Sequence, residues 1–351
     1  MAPRIAGARA HSTVGSALAV FGRIAARLSW SLFTIGAVVT LAFFINQGLP
    51  ADPARAIAGP QARPADVARI RTQLGLDRPI AVQYRIFLSR LVHVARAGDA
   101  AEDHASCAAL GPVHVDLGIS YQVRRPVVDI IADRFPRTLF LALAAVFLQT
   151  LIGVSAGVLA AVKRNSAWDH GAVSITLVGI SAPTFLTGIL LQYFFAYRLR
   201  LLPLDGYGLT FGEHVASILL PAMTLALAGV AYYTRLVRDD VIGLMKQDFV
   251  RTAQAKGVSP AGVVVKHVLR NALLPIVTLI GLDLGTLVGG AIVTEKLFRW
   301  PGLGQLSVDA VFDRDAPIVM GTVIVASTAI VLSNLLVDLS YALLDPRTRA
   351  R

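Results

Sequence analysis

Thr138 to Val162 reads TLFLALAAVFLQTLIGVSAGVLAAV, 25 residues without Asp, Glu, Lys or Arg. As a helix it would run about 37 Å, more than the roughly 30 Å of a bilayer's hydrocarbon core. Lipid offers no partner to a bare backbone, so such a segment must be helical. Working outward, comparable runs are Leu28 to Ala51, Gly171 to Tyr197, Val215 to Thr234 and Ala316 to Val337. A sixth, Asn271 to Thr294, is interrupted only by Asp283. The 351 residues are 55% hydrophobic and 16% charged, a membrane composition. The expected fold is an all-α membrane protein with six transmembrane helices.

The net charge of +11 sits mainly beside these runs, which points to membrane topology and lipid, with no nucleic acid partner. Sixteen Lys and Arg lie in 1–27, 163–170, 235–270 and 338–351. The short connections 198–214 and 295–315 hold five, and the long segment 52–137, exempt by its length, holds twelve. The expectation is N-in and C-in: a cytoplasmic tail (1–27), a first helix (28–51), one large external loop (52–137) and a five-helix core (138–344). That core carries a cytoplasmic loop at 235–270, and a short tail follows at 345–351. The basic start and the small residues Ala56 to Ala58 also fit a signal peptide, but a 24-residue span is long for one and favours an uncleaved anchor.

No lysine is followed by Ser or Thr, so a phosphate-cradling loop of that kind is absent from the sequence. The chain is read as a non-enzyme with no catalytic residues and no cofactor of its own. Cys107 is the single cysteine. With His104 and His114 it could be read as a soft metal set, but Asp99, Glu102 and Asp103 mark a solvated insert, and no metal site is expected.

The 36 residues from Arg235 to Arg270 are too long for a turn and too mixed in polarity for disorder. Asp248 can cap a short helix through Ala255, Gly257 can close it in a left-handed turn, and Ser259 with Pro260 can start another. Arg251, Lys256 and the alanines would then face a protein partner or anionic lipid. In the last run but one, Gly281, Gly285 and Gly289 recur every four residues and predict a close helix contact. Asp283 lies about 200° round from Gly281. A central charge facing lipid costs about 3 kcal/mol or more, so Asp283 belongs in a translocation path or against a partner. Pro183 should bend its helix.

Asp248-Phe249-Val250-Arg251-Thr252-Ala253-Gln254-Ala255-Lys256-Gly257, followed by His267 to Pro275, resembles the "EAA" loop of bacterial ABC importer permeases. The resemblance is to the B-type subunit of the dipeptide, oligopeptide and nickel branch. It extends through Leu49 to Pro53, Leu74 to Pro79, Asp116 to Ser120, Arg134 to Leu139, Ser181 to Phe185, Glu295 with Phe298 to Gly304, Arg314 to Pro317 and Asp345 to Arg347. Arg251 and Thr252 replace the loop's name-giving Glu and first Ala, as is usual in that branch. Ala51 replaces a usual Gly, 96–112 reads as an insertion, and the Asp239-Asp240 pair is unusual.

The resemblance implies a type-I importer permease of the inner membrane, forming half of a pathway for peptides or a small solute such as nickel. Its partners would be a second permease, two cytoplasmic ATPase domains that bind ATP and Mg, and an external solute-binding protein. Asp248, Phe249, Arg251, Thr252, Ala253, Ala255, Lys256 and Gly257 would couple to the ATPase. Asp283 would line the path. Glu295, Trp300, Pro301, Gly302 and Gly304 would form an external gate or binding-protein contact. The rival readings are an ion-coupled secondary transporter built on Asp283 and a membrane scaffold.

Overall fold

Two long helices, α5 (Val127–Val162) and α8 (Phe211–Leu244), form the central contact of the molecule. Glycine allows their close approach. A Cβ at Gly153 would lie 2.5 Å from Tyr233 Cβ, and one at Gly157 would lie 2.7 Å from the Thr234 carbonyl oxygen. The computed structural model describes residues 8–48, 53–59, 61–94, 106–111 and 113–344. Around the central pair stand α1 (Ala8–Gly48), α6 (Ala167–Ser181), α7 (Thr184–Leu191), α11 (Leu269–Val288) and α14 (Ala316–Leu344). Outward-facing Trp30, Phe33, Phe147 and Ile175 are exposed, as a lipid-facing surface requires.

Among the described residues, five helices are long and apolar enough to cross a membrane: Ala25–Gln47, Val127–Val162, Phe211–Leu244, Pro260–Val288 and Ala316–Asp338. The remaining run, Gly171 to Tyr197, is not one helix. Pro183 takes an extended conformation (φ −60°, ψ 134°) at the start of α7, which ends in a wide π-type turn over Gln192–Arg198. Proline was expected to bend this helix; with no N–H to donate, and pushing its neighbour out of the α region, it breaks it.

The Gly281, Gly285 and Gly289 face meets α14. Added Cβ atoms would lie 1.8 Å from Val337 Cγ2, 3.1 Å from Ser333 Cβ and 2.9 Å from Ile330 Cδ1. The small-residue stripe thus lets these two helices touch closely, as its spacing predicts.

The segment expected to be an external loop is folded. It contains α2 (Pro53–Ala58), α3 (Pro64–Gln73), α4 (Ile80–Leu91) and an antiparallel sheet ordered β1 (Val92–Val94), β3 (Val113–Asp116), β2 (Cys107–Leu110). The α4 helix lies on α1, with Phe87 stacked on Phe43 at 5.3 Å, Tyr84 Oη 2.6 Å from Thr40 Oγ1, and Gln47 donating to Gln83 at 2.9 Å. Boundaries shift as well. Helix α1 takes in much of the basic stretch assigned to a tail, and α5 starts at Val127, keeping Pro136 within it. Leu49 to Asp52, including Ala51, most of the 96–112 insertion, and Asp345 to Arg347 lie outside the described residues.

Candidate functional site

Between α8 and α11 the chain forms α9 (Asp248–Ala255) and α10 (Pro260–Gly262), the latter continuing through a π-type turn at Val263–Val268 into α11. Helix α9 has two faces. Val250 and Ala253 are buried against Val237, Val241, Val263, Val268 and Ala272, while Phe249 packs half-buried at the edge. Asp248, Arg251, Thr252, Ala255 and Lys256 face outward, with Arg251 Nη1 3.8 Å from Asp248 Oδ1. The helix is thus held from one side and presents a polar, basic and small-residue surface on the other.

Asp248 is not the cap. Gln247 occupies that position without a side-chain bond, and Asp248 is the first helical residue, where its charge complements the helix N-terminus. At the other end Gly257 is left-handed (φ +78°). Its N–H donates to the Gln254 carbonyl at 2.9 Å and that of Val258 to Ala253 at 3.2 Å, the double bond of a Schellman turn. Ser259 then accepts from Gly262 N–H, with Pro260 at the first helical position.

Close by, Arg238 grips Asp169 in a bidentate pair, Nε to Oδ1 at 2.5 Å and Nη2 to Oδ2 at 2.9 Å. The Asn165 N–H adds a third bond, and together these hold the Asp169 carboxyl well below the usual carboxylate range. Asp239 pairs with Arg238 Nη1 at 2.8 Å. This clasp joins the ends of α6 and α8 nearest the α9 loop, and it was not singled out in the sequence because 69 positions separate its partners.

Within the membrane segments, Asp283 meets a partner on its own chain. Gln149 Nε2 donates to Asp283 Oδ2 at 2.7 Å, and fully buried Tyr233 lies alongside. Gln149 is itself tightly seated, since a Cβ at Gly229 would fall 1.9 Å from its Oε1. Neither Gln149 nor Tyr233 was singled out, though Gln149 is the lone amide of its apolar run. Asp283 remains half-buried.

Glu295, Trp300, Gly302 and Gly304 come together where α12 (Ile292–Leu297) and α13 (Leu303–Phe312) fold back on the start of the membrane portion of α5. Glu295 is fully buried. It accepts from Thr138 Oγ1 at 2.9 Å and from Gln305 N–H at 2.9 Å, while Thr138 Oγ1 in turn accepts from Leu303 N–H at 2.7 Å. Burial pushes the Glu295 carboxyl up, and these donors oppose the shift. Trp300, also fully buried, donates from Nε1 to the Arg137 carbonyl at 3.1 Å. With both side chains inaccessible, a binding protein cannot touch them directly in this conformation. Exposed Phe312, Val311 and Arg299 are the neighbours a partner could reach. A second latch has no local signature in the sequence: buried Asp315 accepts from Ser120 Oγ at 2.5 Å and from Gln122 N–H at 3.1 Å, joining two separate motifs.

Most of the chain matches known transport families, in two pieces. Residues 153–350 match the binding-protein-dependent transport system inner membrane component, and 22–142 match the N-terminal domain of the membrane components of binding-protein-dependent transport systems. The chain belongs to the binding-protein-dependent inner-membrane permease family. Glutathione transport system permease proteins GsiC from Escherichia coli K12 and Salmonella choleraesuis SC-B67 are each 39% identical over 323 residues, 92% of this chain and 97% of theirs. An inward-facing structure of the MetNI methionine ABC transporter aligns with a TM-score of 0.49 and 22% identity, covering 64% of this chain and 97% of that one.

The protein is therefore a multi-pass permease subunit of a bacterial inner-membrane ABC importer, without an ATPase site of its own. The family implies a partner permease, ATPase subunits and an external binding protein. Membership displaces both the ion-coupled transporter and the scaffold readings.

Proposed function

We propose that this permease forms half of a pathway for peptides or a peptide-like solute, and that α9 transmits ATPase closure to α8 and α11. The observation that carries the proposal is the two-faced α9, anchored by Val250 and Ala253 and exposing Arg251 and Lys256. Two ATPase domains, binding ATP and Mg, would receive that surface. Movement of α9 would pull on α8 through the Val237 and Val241 contacts.

The broken α6 and α7 pair makes a sixth crossing, which returns both termini to the cytoplasm in a type-I importer arrangement with 52–137 outside. Asp283, held by Gln149, lines the path and receives positive charge on the solute. The Glu295 to Gly304 turn forms the outer gate, with Glu295 and Trp300 positioning it from within. Peptide-like cargo is favoured by the 39% identity to glutathione transport permeases.

Gentle extraction of the tagged chain from its native membrane in polymer nanodiscs, followed by mass spectrometry, tests the assembly. An ATPase, a second permease and a binding protein should co-purify, and uptake by that assembly should follow peptide and not metal ions. Recovery of the chain alone, or nickel as the sole solute carried, overturns the proposal.

A further inference from the structure

The external sheet gathers three metal-ligating side chains that lie far apart in sequence. His93 on β1 is the direct cross-strand partner of His114 on β3. Cys107 on β2 is two residues from Ala109, which pairs with His114, so the strand period of two puts Cys107 on the same face, diagonal to His114. The result is compact. Cys107 Sγ lies 3.7 Å from His93 Nε2, the two imidazoles meet edge to face at 5.7 Å, and one ligand atom from each of the three residues falls within 4.8 Å of the others. His104, which the sequence suggested as a third ligand, lies outside the described residues, and His93 takes the place it was given.

His93 Nδ1 is 2.9 Å from the Arg90 carbonyl, which can only accept, so Nδ1 carries a proton, and in the neutral imidazole that leaves the Nε2 lone pair facing Cys107. Orientation of one ring nitrogen by a backbone carbonyl is the usual support for a metal-ligating histidine. Tetrahedral zinc, with bonds of about 2.3 Å to sulfur and about 2.0 Å to nitrogen, puts those two atoms roughly 3.6 Å apart. The observed separation is 3.7 Å. Asp116, directly opposite Cys107, adds negative charge beside the cluster.

We propose that His93, Cys107 and His114 bind a borderline-soft transition-metal ion, with Zn2+ as the reference, through two imidazole nitrogens and one thiolate. Binding displaces the thiol proton to solvent as the metal–sulfur bond forms, and the fourth position goes to water or a carboxylate. The ion clasps β1, which continues directly from α4, to β3, which leads toward α5. Because α4 lies on α1 through Phe87 and Tyr84, the ion fastens the external segment to the first membrane helix. The inference stands independently of the cargo and ATPase readings.

Cys107 is the sole cysteine, so thiol chemistry reports on this site alone. The full chain in lipid nanodiscs is treated with an alkylating reagent with and without Zn2+, using Mg2+ as control. Zn2+ should slow alkylation at least tenfold, Mg2+ should not, and His93→Gln or His114→Gln should remove the protection. Equal rates with and without Zn2+, or protection that survives both substitutions, overturns the proposal. Co2+ titration of the unaltered chain gives a reading that needs no variant. One equivalent should produce a thiolate-to-cobalt charge-transfer band with tetrahedral visible absorption; saturation without that band shows an S–H···N hydrogen bond only and also overturns it.

Discussion

Thr138 Oγ1 donates to Glu295 Oε1 across 2.9 Å, joining two residues 157 positions apart. The same hydroxyl accepts from Leu303 N–H, so one small side chain ties α5, α12 and α13 together. Thr138→Val keeps the shape but leaves a buried carboxylate oxygen and a buried N–H short of a partner, at about 1–3 kcal/mol. The purified complex should lose several degrees of thermal stability, read by calorimetry or intrinsic fluorescence. An unchanged transition would mean the latch is not structural.

Gly302 sits against that latch, with a Cβ there falling 2.4 Å from Thr138 Oγ1 and 2.6 Å from Glu295 Cδ. Gly302→Ala should cost about 1–3 kcal/mol by overpacking and lower the yield of assembled complex. Phe312→Ala, on the exposed surface nearby, should leave yield unchanged and weaken capture of the binding protein. Equal yields for the Gly302→Ala variant and the unaltered chain would contradict the packing account.

The contact between α11 and α14 allows a rescue experiment. A Cβ at Gly281 would lie 1.8 Å from Val337 Cγ2. Gly281→Ala should therefore impair assembly, and Gly281→Ala with Val337→Ala should restore most of it. Gly285→Ala, with 3.1 Å to Ser333 Cβ, should be the milder single change. A double variant no better than the single one would place the defect elsewhere.

Much of this architecture is legible in the chain, and the misses share a physical pattern. Apolar length and the glycine spacing announce the membrane helices and the α11 face, because both are local properties. Pro183 was legible as a bend, but whether a proline kinks or breaks a helix depends on what surrounds it. The sheet at 92–116 escaped notice because its strands are three or four residues long and pair across an insertion. For the same reason nothing local in the sequence marks His93 as a neighbour of Cys107. Pairings such as Gln149 with Asp283, or Ser120 with Asp315, bridge 134 and 195 positions and have no local signature.

Asp283→Asn retains an acceptor for Gln149 and should leave the complex intact. If the carboxylate meets positive charge on the solute, uptake of cationic peptides should fall about tenfold or more while neutral peptides are spared, the loss expected for a charged hydrogen bond. Uptake assays across a charge series check this. An unchanged series would confine Asp283 to its bond with Gln149.

Gly257 has a φ of +78°, where a β-branched residue is strained by about 1–2 kcal/mol. Space is not the obstacle, since a Cβ there would meet nothing within 4 Å. Gly257→Val should loosen the Schellman turn and lower solute uptake per ATP hydrolysed, with Gly257→Asn intermediate. Paired hydrolysis and uptake measurements in proteoliposomes give that ratio, and an unaltered ratio in the valine variant would contradict the coupling role.

The most direct test of α9 as the docking element is a photo-crosslinking amino acid at position 251, its outward face, in the intact membrane-embedded assembly. The account predicts a crosslink to an ATPase subunit that strengthens or shifts when ATP is supplied. Crosslinking to lipid alone, with the ATPase present and active, would contradict it.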